Sequence, residues 1–324
     1  MTFLIQQTLV YTIPLMIVAL AGVFAERSGI INIALDGIMI FGSFVGALSV
    51  YIMQKGDMLG GNTQLMFVIA MIIAAAAGAL FSLLLSFYAI NLKADQTIGG
   101  TALNMLAPAV TLLIVKIVSM QDRLSMPKAL GFIISNPDLK PAFKPFFDKM
   151  FISTYIVIAL FIILSIFLYK TKYGLRLRAC GEHPQAADSV GINVYKMRYL
   201  GTTISGALAG LGGYIYIATI ASGTAEGTVA GMGFLALAIM IFGNWKPVGI
   251  ALGSILFGLL KCIGATYASL DINGDGICAL KELGLPIYFY NIIPYVVVLL
   301  VLAFASNKSR APKAEGIPYD KGQR

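Results

Sequence analysis

The residues with the most specific ligand spacing lie near the C-terminus, in segment 271–282, which reads DINGDGICALKE. This segment satisfies the D-x-[DN]-x-[DN]-G-x5-E pattern of a calcium-binding loop, in which side-chain oxygens, one backbone carbonyl and a final carboxylate surround the ion. Cys278 replaces the usual aliphatic residue and the sequence has no second loop of this kind, so an unliganded polar turn is the alternative. The expected ligands of a structural calcium ion are Asp271, Asn273, Asp275, the backbone carbonyl of Ile277, and Glu282.

A second group of polar residues lies inside long apolar segments. Asp36 is the only acidic residue deep in such a segment, Asn32 is close by, and Asn104 comes shortly before Pro108. A charge near the centre of a bilayer costs at least about 2.5–3.5 kcal/mol, and backbone groups freed by glycine or proline need protein or water around them. These residues are expected either to line a watery pathway or to join helices by hydrogen bonds worth about 1 kcal/mol or less. The candidate pathway residues are Asn32, Asp36, Gly99, Gly100, Thr101 and Asn104.

Residue types that support catalysis are scarce. The one histidine, His183, lies in a charged loop, and the three cysteines are far apart with no CxxC pair. The sequence has no GxxxxGK[ST] phosphate-binding loop, so the chain is not expected to hydrolyse ATP itself. The apolar segments also lack a cluster of His, Asp and Glu, which disfavours a membrane enzyme. The sequence therefore predicts a protein that is not an enzyme and needs no cofactor for its main activity.

Composition indicates what must position the polar residues. Of 324 residues, 58% are hydrophobic and 12% are charged, against about 45–50% and 25% in ordinary soluble domains. Most apolar segments approach or exceed the roughly 20 residues that cross a bilayer, but the seventh is too short to cross alone. The sequence predicts one all-α domain over residues 1–324, a polytopic transmembrane bundle of about eight to ten spans. The candidate segments are residues 8–25, 29–52, 65–90, 97–119, 152–169, 199–221, 229–243, 248–263 and 286–305.

Basic residues set the expected orientation. They cluster in the connector 170–198 and in the tail 306–324, and the positive-inside rule places both in the cytoplasm. The net charge of +8 is thus explained by topology and not by a nucleic-acid partner. Counting spans back from residue 170 puts the N-terminus outside. Counting forward puts the loop 264–285, with its calcium-like motif, outside as well, on the condition that segment 229–243 crosses or spans as part of a bent pair. No Lys or Arg precedes the first apolar segment, so it is expected to be a retained span and not a cleaved signal peptide.

The string IMIFG occurs twice, at residues 38–42 and 239–243. By parity the two copies are expected to run in opposite directions, as they would in an inverted repeat. Such repeats are common in transporters, because two related halves rock about a site between them. Chance recurrence in an apolar alphabet is the alternative.

The connector 170–198 contains a helix signal of its own. Pro184 follows Glu182, the helix formers Ala186 and Ala187 come next, and Gly191 lies where a helix is expected to end. The pattern predicts a short surface helix in the middle of this basic loop. An ordinary basic loop that only fixes the topology would not need one.

Four motifs carry a resemblance to a known class. The connector GLRLRACGEHPQAADSVGINV resembles the coupling loop of binding-protein-dependent importer permeases, the class that serves sugars, nucleosides and branched-chain amino acids. ERSGIINIALDGIMIFGSFVGA resembles the second-span motif of that class, and GMGFLALAIMIFGNWKPVG resembles its late-span motif. ADQTIGGTALNMLAPAVT is most similar to the nucleoside branch. The motifs also occur in the family's order and together cover most of residues 26–249.

The resemblance implies a permease subunit of an ATP-driven (ABC) importer in the bacterial cytoplasmic membrane. Its solute would be a nucleoside such as guanosine, delivered by an external binding lipoprotein, and its other partners would be a cytoplasmic ATPase, a second permease subunit, related or identical, and membrane lipid. Residues 182–190 would dock in a groove of the ATPase. A ribose-like sugar permease and an ion-coupled carrier that uses Asp36 are the alternatives, and the calcium-like loop departs from the family pattern. The implied coupling residues are Gly181, Glu182, Pro184, Ala186, Ala187 and Gly191.

Overall fold

A computed structural model describes residues 2–58, 62–126, 133–134, 150–267, 284–305 and 311–322. The predicted calcium ligands at 271–282 lie outside the described residues, as does much of the loop 264–285. Within the described ranges the chain is helical apart from two pairs of very short strands. The helices are α1 (Thr2–Glu26), α2 (Leu35–Lys55), α3 (Thr63–Ser86, continued by a π-helical turn Phe87–Asn91), α4 (Gln96–Ser119), α5 (Ile152–Lys170), α6 (Lys172–Glu182), α7 (Pro184–Ser189), α8 (Val194–Thr219), α9 (Met232–Phe242), α10 (Pro247–Thr266) and α11 (Ile287–Ala305).

Seven of the described helices are long and apolar enough to cross a membrane, namely α1, α2, α3 with its π-helical turn, α4, α5, α8 and α10. Helices α9 and α11 are also apolar, and of these two α9 is clearly too short to cross a membrane by itself. With 11 residues, α9 rises about 16 Å, roughly half of the 30 Å hydrocarbon core. The prediction of an all-α polytopic bundle is confirmed.

The centre of the bundle is built on close contact between helix backbones. A Cβ added at Gly42 of α2 would lie 2.3 Å from the Cα of Gly210 in α8, and one added at Gly78 of α3 would lie 2.3 Å from the carbonyl oxygen of Gly206. Small residues permit such approach, which is how membrane helices gain packing energy in the absence of a hydrophobic drive. The small-residue run of α8 around these positions is therefore a packing surface.

Helices α2 and α9 both begin inside the bundle. The apolar segment at residues 29–52 is helical only from Leu35 onward, and the segment 220–231 before α9 is largely non-helical. The two helix starts meet, since the backbone N–H of Gly233 donates to Oδ1 of Asp36 at 2.9 Å. From this point α9 runs toward Trp245, which lies beside the end of α1. Helix α2 runs from the same point toward the other end of the bundle, where it contacts the strands Leu124–Ser125 and Thr224–Ala225. The two copies of IMIFG therefore run in opposite directions, as parity predicts, although they lie at different distances from their helix starts.

One end of the bundle, which we call the coupling face, is formed by α6, α7 and the segment 311–322. The C-terminal end of α1 is here, because Arg27 Nη1 lies 3.1 Å from Oε1 of Glu182. The connector 170–198 and the tail thus share one face, and the N-terminus of α1 points to the other. At that opposite end the strand Leu124–Ser125 pairs with Thr224–Ala225, and Ile133–Ile134 pairs with Met150–Phe151.

Candidate functional site

Asp36 lies in the first turn of α2 and caps another helix. Its side chain is 9% exposed, and its Oδ1 accepts the N–H of Gly233 in the first turn of α9. A carboxylate at a helix N-terminus is stabilised by the free N–H groups and by the helix dipole. Gly233 is needed for this contact, because an added Cβ would lie 2.4 Å from the Cα of Asp36.

Asn104 of α4 plays the corresponding capping role at the start of α2. Its Oδ1 accepts the N–H of Gly37 at 2.7 Å, and its Nδ2 donates to the carbonyl of Ile33 at 2.9 Å. One side chain therefore satisfies a donor and an acceptor that the irregular start of α2 leaves free. Gly100 lies one turn earlier, where an added Cβ would be 3.1 Å from Cβ of Ile33. Asp36 and Asn104 therefore each bind backbone groups at a helix start and do not bind each other.

Asn32 completes this polar junction, which we define as Asn32, Asp36 and Asn104. It is fully buried and its Nδ2 donates to Oγ of Ser205 in α8 at 2.9 Å. Its Oδ1 has no hydrogen-bond partner among the described residues. Burying an amide oxygen without a hydrogen-bond partner costs free energy. The hydrogen-bonding capacity of this atom is therefore not satisfied by the described residues of the bundle.

The remaining two candidate pathway residues lie apart from the junction. An added Cβ at Gly99 would be 2.5 Å from the ring of Tyr88, so this glycine serves the contact of α4 with the π-helical turn. Thr101 is exposed on α4, and its hydroxyl donates to the carbonyl of Thr97 at 2.8 Å.

The coupling residues occupy two helices and not one. The predicted short helix is present as α7, with Pro184 in its first turn and Gly191, at φ +84°, just beyond its end. Helix α6, which ends at Glu182, was not predicted. Its residue Gly181 abuts the end of α1, since an added Cβ would lie 2.4 Å from the carbonyl oxygen of Arg27.

The outer surface of α7 and of the residue after it is exposed. Ala187 is buried against the bundle, whereas Ala186 is exposed and Val190 is 74% exposed. Leu175 on α6 is exposed too. Apolar side chains presented beside charged ones are typical of interaction surfaces.

Residues 311–322 form a C-terminal strap across the coupling face, which the sequence did not predict. The N–H of Ala314 donates to the carbonyl of Gly181 at 2.9 Å, and the N–H of Gly316 donates to that of Gly29 at 3.2 Å. Lys93, after α3, pairs with Asp320 at 2.9 Å. The strap therefore binds the end of α6, the turn after α1 and the turn after α3 to one another.

Arg198 in α8 is the buried anchor of the strap. The residue is 1% exposed, and its Nη1 donates to the carbonyl of Ile317 at 3.0 Å. Sequence reasoning had counted Arg198 only as a basic residue that fixes the orientation. Arg198 is also a buried residue of the coupling face, covered by the strap.

A carboxyl pair lies under the strap. Trp245 Nε1 donates to Oε2 of Glu26 at 2.5 Å, and Glu315 of the strap lies beside Glu26. Burial raises the pKa of Glu315 to about 7, while its interaction with Glu26 and the nearby Arg27 act in the lowering direction. This carboxyl group consequently titrates near neutral pH.

The comparison with known families gives one match over most of the chain. Residues 4–302 match the family described as branched-chain amino acid transport system / permease component. No solved structure matches the chain.

Three curated relatives share nearly its full length. The guanosine ABC transporter permease protein NupQ of Bacillus subtilis is 41% identical, with 100% of this chain and 98% of the relative covered. The nucleoside ABC transporter permease protein NupC of Lactococcus lactis is 38% identical, with 99% and 97% covered. The guanosine ABC transporter permease protein NupP of Bacillus subtilis is 27% identical, with 92% and 81% covered.

Proposed function

This chain belongs to the family of branched-chain amino acid transport permease components, and from that premise we propose that the solute it carries is a nucleoside such as guanosine. The resemblance to importer permeases seen in the sequence is confirmed, and the chain is a multi-pass transport permease. The observation that carries the substrate proposal is the 41% identity, over the whole chain, to a protein named as a guanosine permease. A ribose-like sugar is the alternative solute.

We propose that ATP hydrolysis occurs on a cytoplasmic ATPase docked at α6 and α7. The exposed apolar residues of these helices and their contact with the end of α1 support this proposal, since a push on α6 reaches α1 through Gly181. An external binding lipoprotein would deliver the solute on the opposite face. The protein would then lie in the cytoplasmic membrane, with the coupling face toward the cytoplasm.

A second permease subunit of related sequence is proposed as the partner within the membrane. The names of NupQ and NupP place two guanosine permease proteins in one organism, and this chain is 41% and 27% identical to them. Exposed apolar residues are frequent on α4, with Met105 72% and Leu113 62% exposed. These residues face either lipid or the other permease.

The polar junction is proposed to lie beside the translocation pathway. Asp36, Asn104 and the unpaired Oδ1 of Asn32 are polar groups at the start of two broken helices, which is where transporters commonly place their solutes. In this conformation Asp36 and Asn32 are closed off by protein, so opening of the pathway would have to separate the starts of α2 and α9.

Competitive uptake tests the nucleoside proposal. The assembled complex is reconstituted in proteoliposomes with ATP inside. Uptake of radiolabelled guanosine is then measured in the presence of a roughly 100-fold excess of unlabelled competitor, which reveals differences in affinity of up to about 100-fold. We expect unlabelled nucleosides to abolish uptake, and ribose and leucine to leave it unchanged. Uptake of radiolabelled ribose by the same vesicles, with no uptake of guanosine, would assign the sugar instead.

A further inference from the structure

Beside α6 the coupling face contains a cavity in which three of the six described lining residues are basic. It has a volume of about 430 Å³ and is lined by Arg27, Glu182, Asn244, Lys246, Ala311 and Lys313. Three separate parts of the chain thus meet here: the end of α1 with α6, the turn between α9 and α10, and the C-terminal strap. We call this cavity the basic pocket.

The charges of the basic pocket are not balanced within the described residues. Among the described lining residues Glu182 is the one carboxylate, and it is already paired with Arg27 at 3.1 Å. Lys246 and Lys313 are both exposed, and neither has an ion pair with a described carboxylate. The pocket therefore presents to an incoming anion two ammonium groups that no described carboxylate neutralises.

The position of Lys246 is fixed by an unusual turn. Asn244 and Trp245 adopt left-handed φ values of 53° and 55°, a conformation that costs an L-residue roughly 1–2 kcal/mol. Trp245 is held at both ends, since its Nε1 donates to Glu26 and its carbonyl accepts the hydroxyl of Tyr169 at 2.5 Å. Pro247 then starts α10 directly after Lys246. The lysine is consequently presented on a rigid support.

That support is connected to the polar junction by a single short helix. Helix α9 runs from Gly233, which donates to Asp36, to the turn that carries Lys246. A force applied at the turn is therefore applied to the element that closes the junction. Helix α6, by contrast, abuts the end of α1. A contact at the basic pocket would act on α9 in addition to the contact that α6 makes.

We propose that the basic pocket receives an acidic side chain of the cytoplasmic ATPase and forms a second docking point beside α6 and α7. This inference rests on the proposed function, because it names the partner that the coupling face serves. The occupant follows from charge complementarity and from place: the pocket shares Glu182 with the docking helices and opens on the same face. A carboxylate pairs there with Lys246 and Lys313, neither of which forms an ion pair with a described residue.

The first test measures affinity for the purified ATPase subunit that co-purifies with the wild-type chain. The double variant Lys246→Glu, Lys313→Glu is expected to bind this ATPase at least about 10-fold more weakly at low salt, as close charge pairs across interfaces imply. Its affinity should also depend less on salt. Lys246→Arg with Lys313→Arg should retain wild-type affinity, and Lys55→Glu, at the far end of α2, should have no effect. An unchanged melting temperature shows that the variants are folded.

The second test identifies the occupant. A zero-length carbodiimide joins lysine amines to carboxylates in contact, and in the wild-type complex we expect cross-links from Lys246 or Lys313 to an Asp or Glu of the ATPase. Replacing that acidic residue by lysine should restore affinity to the Lys246→Glu, Lys313→Glu variant.

Two results would overturn the proposal. One is equal affinity of wild type and double variant with no cross-link to the ATPase. The other is loss of co-purified phosphatidylglycerol in the double variant with unchanged ATPase binding, which would make the pocket a lipid headgroup site. If the wild-type chain binds no ATPase at all, the proposed function itself fails, and that outcome is separate from both.

Discussion

At the scale of single residues, the informative side chains are those that satisfy backbone groups at helix starts. Asp36 accepts from the first turn of α9 and Asn104 serves the first turn of α2. Both positions could be singled out in the sequence, because polar residues inside apolar segments are rare. Their partners could not, since Gly233 and Ile33 are far from them along the chain and look like any other apolar position.

Removal of the Asp36 carboxylate should destabilise the bundle. Asp36→Ala leaves the buried N–H of Gly233 without its acceptor, at a cost of about 1–2 kcal/mol. Asp36→Asn keeps an acceptor oxygen and should lose much less. Thermal unfolding of the purified variants in one detergent measures the difference, with a clearly lower Tm expected for alanine than for asparagine. Equal Tm values for alanine and wild type would contradict the capping role.

Glu315 should make the stability of the strap depend on pH. Its pKa of about 7 lies above its ordinary value of 4.5, so between these pH values the folded state binds more protons than the unfolded state. Stability must then fall as the pH rises from about 4.5 to 7 and stay low above it. The groups that act on this carboxyl are Glu26 and Arg27, with Trp245 bound to Glu26.

The variant Glu315→Gln removes this titration. Hydrogen exchange of the strap amides, such as that of Ala314, should speed up from pH 5 to pH 8 beyond the intrinsic rate in wild type. In the variant the protection factor should be nearly constant over the same range. A protection factor that falls equally in both proteins would show that Glu315 is not the responsible group.

At the scale of elements, the bundle depends on three helices whose backbones touch. Gly78→Ala would drive a Cβ to 2.3 Å from the carbonyl oxygen of Gly206. Backbone atoms of two packed helices cannot yield as a flexible side chain can, so a cost of about 1–3 kcal/mol is expected. The Tm of the variant should fall, while Gly322→Ala, where the nearest atom lies 3.7 Å away, should match wild type. An unaltered Tm for Gly78→Ala would refute the close crossing.

Calcium binding is proposed for the loop between α10 and α11. Three carboxylates and an amide at the spacing of residues 271–282 repel one another unless a cation joins them, and extracellular calcium loops bind with Kd of about 10⁻⁴–10⁻³ M. Several millimolar calcium should raise the Tm of the purified chain by mass action. Asp271→Ala and Glu282→Ala should each abolish the rise, and magnesium should not replace calcium. A Tm that does not respond to calcium would leave the polar turn as the explanation.

Regular elements were more predictable than the breaks between them. Hydrophobic length locates the long helices, and Pro184 locates the start of α7. The same length cannot show that α2 begins only at Leu35, because an extended apolar segment has the same hydropathy as a helical one. Helix α6 was not predicted because its sequence is polar, and its basic residues are equally typical of a solvated loop.

At the scale of the whole molecule, two routes lead from the coupling face toward the polar junction. One passes from α6 through Gly181 to the end of α1, from which the chain continues to Asn32, and the other passes from the turn at Trp245 along α9 to Asp36. The C-terminal strap ties the first route to the buried Arg198. The sequence could not reveal the strap, because it is held mainly by backbone hydrogen bonds that any polar segment is able to make.

We propose that this permease moves a nucleoside inward and that ATP hydrolysis drives the movement. The direct measurement is guanosine accumulation by proteoliposomes that contain the complete complex, with ATP inside, with the non-hydrolysable analogue inside, or with a proton or sodium gradient alone. We expect accumulation above the external concentration with ATP, and none with the analogue or with either gradient. Accumulation driven by an ion gradient without ATP would contradict the claim and identify an ion-coupled carrier.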